Sequence, residues 1–314
     1  MRGTLRTLSA LAALALSGAG AAAQGAPAPA APPAAPQAPL LLQSDFGLQD
    51  GSVAALKGVA YAVSPMLHVV DLTHLIQPFD IREAAYRLRQ AAPFWPAGTV
   101  FVSVVDPGVG TPRRSVVMRT SNGLYFVTPD NGTLTFVARL FGVAEVREID
   151  EKVNRRPNSQ WSATFHGRDV YVYTGARLAA GVITFEQVGP SRGTEYVALD
   201  IPEPTASVSS VRGTIVALDR PYGNLWTNID TAAVTALGVK PGDKARVRIL
   251  RGGKSVYTDI VYFGRTFGDV PVGKPVLYVN SLDQLALALN QGNFAQRYSI
   301  AAGAEWQLEV TPFK

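Results

Sequence analysis

Short apolar runs alternate with amphipathic stretches through the first half of the chain from residue 40 onward. Residues 40–43 and 99–105 are aliphatic and β-branched runs that predict buried strands, and residues 67–70 predict a third strand between them. Residues 51–63 and 80–92 carry apolar side chains at helical spacing, and each stretch is closed by a proline. Strands that alternate with helices of this length predict a parallel, Rossmann-like sheet.

The pattern changes from alternating elements to short β runs along the second half of the chain. Residues 115–120 and 124–128 flank an Asn-Gly turn and predict a hairpin. Helices are predicted at 132–140 and 170–180. From residue 211 on, β-branched runs separated by glycine, asparagine and aspartate predict a small β-barrel or sandwich. These runs are 213–218, 245–250, 255–263, 276–279 and 305–310.

These elements divide the chain into an N-terminal α/β domain over 40–195, a linker over 196–210 and a C-terminal β domain over 211–314. Ahead of them, residues 1–23 carry Arg2 and Arg6, an apolar stretch and three alanines, which is the layout of a cleaved secretory signal peptide. The alternative is a short N-terminal anchor helix. The Ala/Pro-rich tract 24–39 predicts an extended linker. We therefore expect export to the periplasm or the medium, with no stable membrane association after cleavage.

Composition and charge exclude several classes of partner. The formal charge of +5 is mild, and no cluster of basic residues with interleaved aromatics predicts binding to nucleic acid. The chain has no cysteine, which excludes disulfides and thiolate metal sites. No two of its three histidines have the close spacing of a metal site, so no metal is predicted. Phosphate-binding loops of the GxxxxGK[ST] or GxGxxG type and a GxSxG elbow are absent from the sequence.

One loop carries charged side chains at the end of a predicted strand. The stretch VVDPGVGTPRR places Asp106 directly after the strand and Arg113 and Arg114 a few residues later. Ligands bind at the carboxyl ends of strands in open α/β sheets, so these residues are candidates for a site. Taken alone, the stretch is more typical of a tight surface turn with solvated charges.

Two further stretches contain side chains suited to binding or catalysis. His166 lies in a turn just ahead of the predicted helix 170–180, whereas His68 and His74 flank a strand and are predicted to be structural. Residues 219–228, DRPYGNLWTN, supply an acid, an amide and a tryptophan, which suit a purine nucleoside. The alternative for this stretch is an ordinary turn followed by a core tryptophan.

The sequence as a whole resembles the S-adenosyl-L-methionine hydrolase family, also called hydroxide adenosyltransferases, which is related to the fluorinase and chlorinase enzymes. The resemblance covers nearly all of residues 40–314 and rests on six segments in one order: SDFGLQD, VVDPGVGTPRR, TPDNGTL, TFHGRD, DRPYGNLWTNI and YVNS. It implies an N-terminal α/β domain, a C-terminal β-barrel and a homotrimer with ligand sites between neighbouring subunits. The implied reaction is attack of water on the ribose 5′-carbon, without a metal or redox cofactor.

The resemblance also implies a role for particular residues. Asp106, Arg113 and His166 match the family's water-handling triad, and Asp45 should hold the ribose hydroxyls. The positions implied to hold the methionine or adenine portions are Asp219, Asn224, Trp226 and Ser281. Phe79 stands where the fluorinase has a tryptophan that lines the sugar pocket.

Departures from the halide-using relatives favour water as the nucleophile. Those enzymes carry a tyrosine at the position of Asp106 and a Tyr-Ser pair at the position of His166-Gly167. Their Ser-Arg pair near the C-terminus corresponds to Ser281-Leu282 here, which removes one expected contact to the substrate carboxylate.

Three functional hypotheses follow from the sequence. The first is hydrolysis of S-adenosyl-L-methionine, and the intact triad favours it because a pure binder does not need those groups. The signal peptide motivates an alternative, an exported adenosine- or nucleoside-binding protein without significant turnover. The third hypothesis is hydrolysis of another adenosyl compound in the same pocket.

Overall fold

The computed structural model describes residues 37–313. The predicted signal peptide and residues 24–36 of the predicted linker lie outside the described residues. In the described part of the chain, every helix is too short or too polar to span a bilayer.

The first half of the described chain forms a six-stranded sheet with the order β2-β1-β3-β5-β4-β6. Its strands are β1 (Leu40–Ser44), β2 (Val69–Thr73), β3 (Val100–Val104), β4 (Ser115–Thr120), β5 (Tyr125–Pro129) and β6 (Val143–Glu148). Strands β2, β1, β3 and β5 run parallel, and β4 runs antiparallel to both β5 and β6. The predicted parallel sheet is therefore mixed, because the hairpin of β4 and β5 supplies an antiparallel edge.

Helices cover both faces of this sheet. They are α1 (Ser52–Val63), α2 (Ile81–Ala91), α3 (Thr135–Phe141), α4 (Glu151–Asn154) and α5 (Tyr173–Ala179), with 3-10 turns at Ala92–Phe94 and Glu186–Val188. A helix of π geometry, Gly167–Val172, runs directly into α5. Leu40 and Leu42 pack in one core cluster with residues of α1 and α5, whereas Leu41 packs with residues of α2 and α3. Burial on both faces explains why β1 is a continuous apolar run rather than an alternating one.

The second half forms a closed barrel of seven strands, which decides between the predicted barrel and sandwich. Strand β14 pairs with both β10 and β8 and so closes the ring β8-β9-β13-β12-β11-β10-β14, while β7 adds to β8 from outside. The strands are β7 (Thr205–Ala206), β8 (Val211–Asp219), β9 (Asn224–Asp230), β10 (Lys244–Arg251), β11 (Lys254–Phe263), β12 (Pro275–Val279), β13 (Gln284–Leu289) and β14 (Trp306–Pro312). The helices here are α6 (Thr231–Leu237) and α7 (Phe294–Tyr298), with a 3-10 turn at Phe267–Asp269.

Helix α2 joins the sheet to the barrel. Tyr86 on α2 is fully buried, and its hydroxyl donates to Gln284 on β13 at 3.0 Å. Arg87 of the same helix donates to the backbone oxygen of Leu218 at 2.8 Å. The connecting segment predicted as a linker packs in the same region, because Ile201 belongs to the same core cluster as Tyr86. The connecting segment is thus anchored in this core through Ile201, while most of its other residues are exposed.

The order of the sheet defines a switch point between β1 and β3. The chain passes from β1 through α1 to β2 on one side, and then through α2 to β3 on the other side of β1. Connections that diverge in this way leave a crevice at the carboxyl ends of the two strands. Ser44 and Val104 are register partners at those ends, so Asp45 and Asp106 follow neighbouring strands. Asp71, which directly follows the predicted strand 67–70, lies within β2.

Candidate active site

A cavity of about 470 Å³ opens at the carboxyl ends of β1 and β3. Its size is in the range of small-molecule sites. Four residues singled out from the sequence line it, namely Asp45, Phe79, Asp106 and His166. The remaining lining residues are Phe46, Ser52, Pro78, Val104, Val109, Thr164, Phe165 and Gly167.

Asp106 and Arg113 form a buried ion pair at the wall of this cavity. The Arg113 Nε lies 3.0 and 3.1 Å from the two carboxylate oxygens of Asp106, and its Nη2 lies 2.5 Å from Oδ2. The two side chains are only 12% and 6% exposed. Burial alone would lower the pKa of Arg113, but the hydrogen bond to Asp106 raises it above its ordinary value. Arg113 therefore stays a cation that orients the carboxylate.

His166 is held by the same guanidinium. Its Nδ1 lies 3.0 Å from Arg113 Nη2, and because arginine can only donate, Nδ1 accepts this hydrogen bond. Burial lowers the pKa of His166 from its ordinary value of 6.5, and the positive charge of Arg113 acts in the same direction against an opposing contribution from Glu151. His166 is therefore neutral at pH 7, with its hydrogen on Nε2.

The π helix that begins after His166 determines where this histidine lies. Glycine at position 167 allows the start of this helix to lie close to Val104 and Phe46, because a Cβ here would lie 2.9 Å from Val104 Cγ1 and 3.3 Å from Phe46 Cζ. His166 and Tyr171 are five positions apart, which in an α-helix would separate them by about 140° around the axis. The wider π turn brings them nearer to one side, and both contact Arg113.

Tyr171 and Ser115 form a second layer behind the ion pair. Arg113 Nη1 donates to Ser115 Oγ at 2.9 Å, and the Ser115 hydroxyl donates to the Tyr171 oxygen at 3.2 Å. The Tyr171 hydroxyl lies 3.5 Å from Asp106 Oδ2, and burial raises the pKa of Tyr171, so this phenol stays protonated. Neither residue was anticipated from the sequence, since a tyrosine within an apolar helix is typical of a core position.

Asp45 and Phe79 also line this cavity. The backbone N–H of Phe79 donates to Asp45 Oδ2 at 2.9 Å. Phe79 has φ 68, a left-handed conformation that is unfavourable for a bulky residue, and the residue is 71% exposed. Strained residues of this kind cluster at ligand sites.

The remaining predicted binding residues do not line this cavity. Asp219 and Asn224 line a second cavity of about 550 Å³ on the barrel, which shares no lining residue with the first. Asn224 Nδ2 donates to Asp219 Oδ2 at 3.0 Å, and burial raises the pKa of Asp219 against the effect of this hydrogen bond. Trp226 and Ser281 line neither cavity.

Trp226 and Ser281 occupy quite different environments. Trp226 is 5% exposed and packs near Tyr86, and its Nε1 donates to Tyr278 Oη at 3.2 Å. It is a core residue between α2 and the barrel. Ser281 is exposed in the turn between β12 and β13.

Arg114 has a separate partner. Its Nη2 lies 2.7 Å from Asp130 Oδ2, and the Asp130 side chain is 1% exposed. Asp130 also accepts from the backbone N–H of Val197 at 2.7 Å, so this pair ties the hairpin to the connecting segment. Among residues 37–313, histidine and carboxylate side chains do not gather in groups of three or more that could hold a metal ion.

The structure combines an α/β domain, which carries an acid–arginine–histidine set at its switch point, with a closed β-barrel. This combination defines a class of two-domain proteins. Residues 40–189 match the model of the SAM hydroxide adenosyltransferase N-terminal domain, and residues 213–307 match that of the C-terminal domain. The chain belongs to the SAM hydroxide adenosyltransferase family.

The relatives of this chain include proteins named as S-adenosyl-L-methionine hydrolases and proteins named as fluorinases. It is 36% identical over 266 residues to an (R)-S-adenosyl-L-methionine hydrolase of Thermus thermophilus, covering 83% of this chain and 95% of that protein. It is 32% identical over 288 residues to a fluorinase of an Actinoplanes species, covering 84% and 95%. A crystal structure of an uncharacterized conserved protein from Thermotoga maritima superposes with a TM-score of 0.79 at 35% identity, covering 87% of this chain and 99% of that one.

Proposed function

We propose that this chain hydrolyses S-adenosyl-L-methionine to adenosine and L-methionine by in-line attack of water on the ribose 5′-carbon. The observation that carries the proposal is the hydrogen-bonded set of Asp106, Arg113 and His166, two of whose members line the cavity at the switch point. The family includes proteins named as hydrolases and as fluorinases. A buried carboxylate suits water, which has a proton to lose, and repels a halide ion.

Asp106 is the proton acceptor in this mechanism. Arg113 has only donors, and the Nδ1 of His166 is already occupied by Arg113. The neutral His166 presents Nε2–H, which can donate to the oxygen of the attacking water and orient it. The carboxylate of Asp106 lines the cavity and has lone pairs beyond those that Arg113 uses, so it accepts the proton.

The bond changes need no general acid. The water oxygen forms a bond to C5′ as the bond from C5′ to sulfur breaks, and its electron pair stays on sulfur to give methionine as a neutral thioether. The attacking oxygen becomes acidic as it bonds to carbon, and its proton passes to Asp106 and then to solvent. A positioned acid–base group of this kind contributes about a hundred- to ten-thousand-fold, and orientation of the water adds to it. We propose no metal or redox cofactor.

The substrate is proposed to lie with its ribose against Asp45 and Phe79. Asp219 and Asn224 line a different cavity of the same chain. We propose that, in the homotrimer that the family resemblance implies, the barrel of one subunit brings them to the first cavity of its neighbour. Trp226 would then support that barrel wall from behind. Light scattering of the purified chain should give three times the monomer mass, and a monomer that turns over at full rate would contradict the arrangement.

A labelling experiment tests the reaction. The purified chain is incubated with S-adenosyl-L-methionine in ¹⁸O-water, with and without added chloride or fluoride and with a chelator in a parallel sample. We expect equimolar adenosine and methionine, the label in the 5′-hydroxyl and no halogenated nucleoside. A 5′-halo product in place of adenosine would replace the hydrolase with a halogenase, and loss of activity with the chelator would refute the absence of a metal.

Absence of turnover has a defined meaning in the same experiment. If no adenosine forms but adenosine binds tightly by calorimetry, the alternative of an exported nucleoside-binding protein is correct. If neither occurs, other adenosyl compounds are the next substrates to test. Export itself is proposed from residues 1–23, and sequencing the N-terminus of protein recovered outside the cytoplasm should place the cleavage after Ala23.

A further inference from the structure

A series of hydrogen bonds with the buried residues Ser44 and His74 at its centre leads to the segment that carries Asp45. His74 Nε2 lies 3.1 Å from Asp71 Oδ1, and His74 Nδ1 lies 2.7 Å from Ser44 Oγ. His74 is 3% exposed and Ser44 is 0% exposed, so neither meets a ligand. We infer that Ser44, His74 and Asp71 are positioning residues that fix the segment carrying Asp45 for ribose binding, an inference that rests on the proposed function for its ligand.

Each hydrogen bond in this series has a defined donor and a defined acceptor. The Asp71 carboxylate accepts, so the hydrogen of the neutral ring lies on His74 Nε2. Burial lowers the pKa of His74 below its ordinary value, despite the opposing effect of Asp71. The free Nδ1 then accepts from the Ser44 hydroxyl, whose oxygen accepts from the backbone N–H of Phe46 at 3.3 Å. Hydrogen bonds aligned in this way polarise and strengthen one another.

His74 also holds the far end of the same segment. Its backbone oxygen accepts from the N–H of Gly47 at 2.8 Å, so one residue fixes both the start and the end of residues 44–47. Gly47 has φ 70, which allows the chain to turn there. Asp45 lies between these two attachments. At the outer end of the hydrogen-bond series, Lys57 Nζ contacts Asp71 Oδ2 at 2.6 Å.

The segment contacts the rest of the site through Asp45 and Phe46. Asp45 accepts from the N–H of Phe79, and the Phe46 ring packs edge-on against Phe165 with centroids 5.6 Å apart. A carboxylate that must meet two ribose hydroxyls has to be held to within about half an ångström. A loop aspartate reaches that precision only if its backbone is fixed. The hydrogen bonds that run from Asp71 through His74 to Ser44 fix it.

Two substitutions at Ser44 separate positioning from simple packing. Ser44→Ala removes the hydroxyl, and Ser44→Thr keeps it. We expect Ser44→Ala to weaken adenosine binding and raise KM by about 10-fold, with kcat changed by less than about 3-fold because Asp106 and His166 are untouched. Ser44→Thr should bind adenosine within about 3-fold of the wild type. The amide of Phe46 should exchange faster with solvent in the alanine variant only.

Histidine substitutions provide the matched control. His74→Gln should weaken adenosine binding like Ser44→Ala, whereas His68→Gln, at an exposed position, should not. The inference is overturned if Ser44→Ala binds adenosine and protects Phe46 like the wild type, or if Ser44→Thr is as weak as Ser44→Ala. If the wild type neither binds adenosine nor hydrolyses the substrate, the proposed function fails, and with it the ligand assigned to Asp45. Exchange at Phe46 then still decides whether Ser44 holds the segment.

Discussion

Replacing Arg113 by lysine tests the central element of the proposed site while keeping its positive charge. The Arg113 guanidinium makes five hydrogen bonds, of which three go to Asp106, one to Ser115 and one to His166. A lysine ammonium is a single point with a compact set of donors, so it cannot reach Asp106 and His166 together in the plane that the guanidinium defines. We therefore expect the two groups that face the water to lose their relative orientation.

The size of the effect follows from the contacts that lysine cannot replace. A hydrogen bond to a charged group contributes about 1.5–3 kcal/mol, and the bidentate contact with Asp106 and the bond to His166 are both lost or weakened. A loss of about 2–4 kcal/mol of transition-state stabilisation corresponds to a decrease of about 30- to 1000-fold in kcat/KM. Adenosine affinity should change little, because Arg113 does not line the cavity.

The neighbouring arginine is the control. Arg114 binds the buried Asp130 and lies outside the set at the cavity, so Arg114→Lys should lower stability by about 1–2 kcal/mol and leave kcat/KM within about 3-fold. Initial rates of adenosine formation and urea denaturation of both variants provide the comparison. If Arg113→Lys keeps at least a third of the wild-type rate, the guanidinium does not organise the site and our reasoning is wrong.

Three further predictions concern the same cavity. Because the pKa of His166 lies below 6.5, kcat/KM should be flat down to about pH 6.5 and decline only below it, as protonated Nδ1 can no longer accept from arginine; a decline centred above about pH 7 would contradict this. Gly167→Ala should cost about 1–3 kcal/mol in urea denaturation because of its contact with Val104, whereas Gly58→Ala in α1 meets no atom within 4 Å and should be neutral or stabilising. Asp106→Asn should lower kcat by about a hundred- to ten-thousand-fold with adenosine binding retained, and an unchanged kcat would exclude Asp106 as the proton acceptor.

The fold follows from the sequence where local pattern and tertiary environment agree. Strand β1 and helices α1 and α2 form within one or two residues of their predicted bounds, since their apolar runs and proline stops are local signals. The sequence does not predict strand β9, because its asparagine and aspartate residues are unfavourable in strands. Pairing with β8 and β13 overrides that preference. The sequence does not predict strands β6 and β13, because six-residue runs do not distinguish a strand from a helix.

The sequence predicts the three residues of the hydrogen-bonded set at this cavity, but it does not predict the residues that support them. Asp106, Arg113 and His166 come together although His166 is 53 residues from Arg113 in the chain, and only the ordered set of motifs links them. The parts played by Tyr171 and Ser44 depend on which neighbours the packing brings within hydrogen-bond distance, and no local pattern encodes this. The sequence also groups Trp226 with the ligand contacts, whereas its burial against Tyr86 depends on how the barrel meets α2.

The π helix after His166 allows the direction of His166 to differ from the direction that the core-facing side chains of the helix require. A regular α-helix would fix both directions together. Val170, Val172 and Ala176 must face the core, and in an α-helix that requirement would also fix the direction of every earlier side chain. The wider π turn allows the His166 side chain to point toward Arg113 while the core contacts of the helix are kept. π geometry is rare and is found mostly at functional sites, so mutations that restore regular winding would be favoured by stability alone. Persistence of this turn in a lineage would therefore record selection on the chemistry of His166.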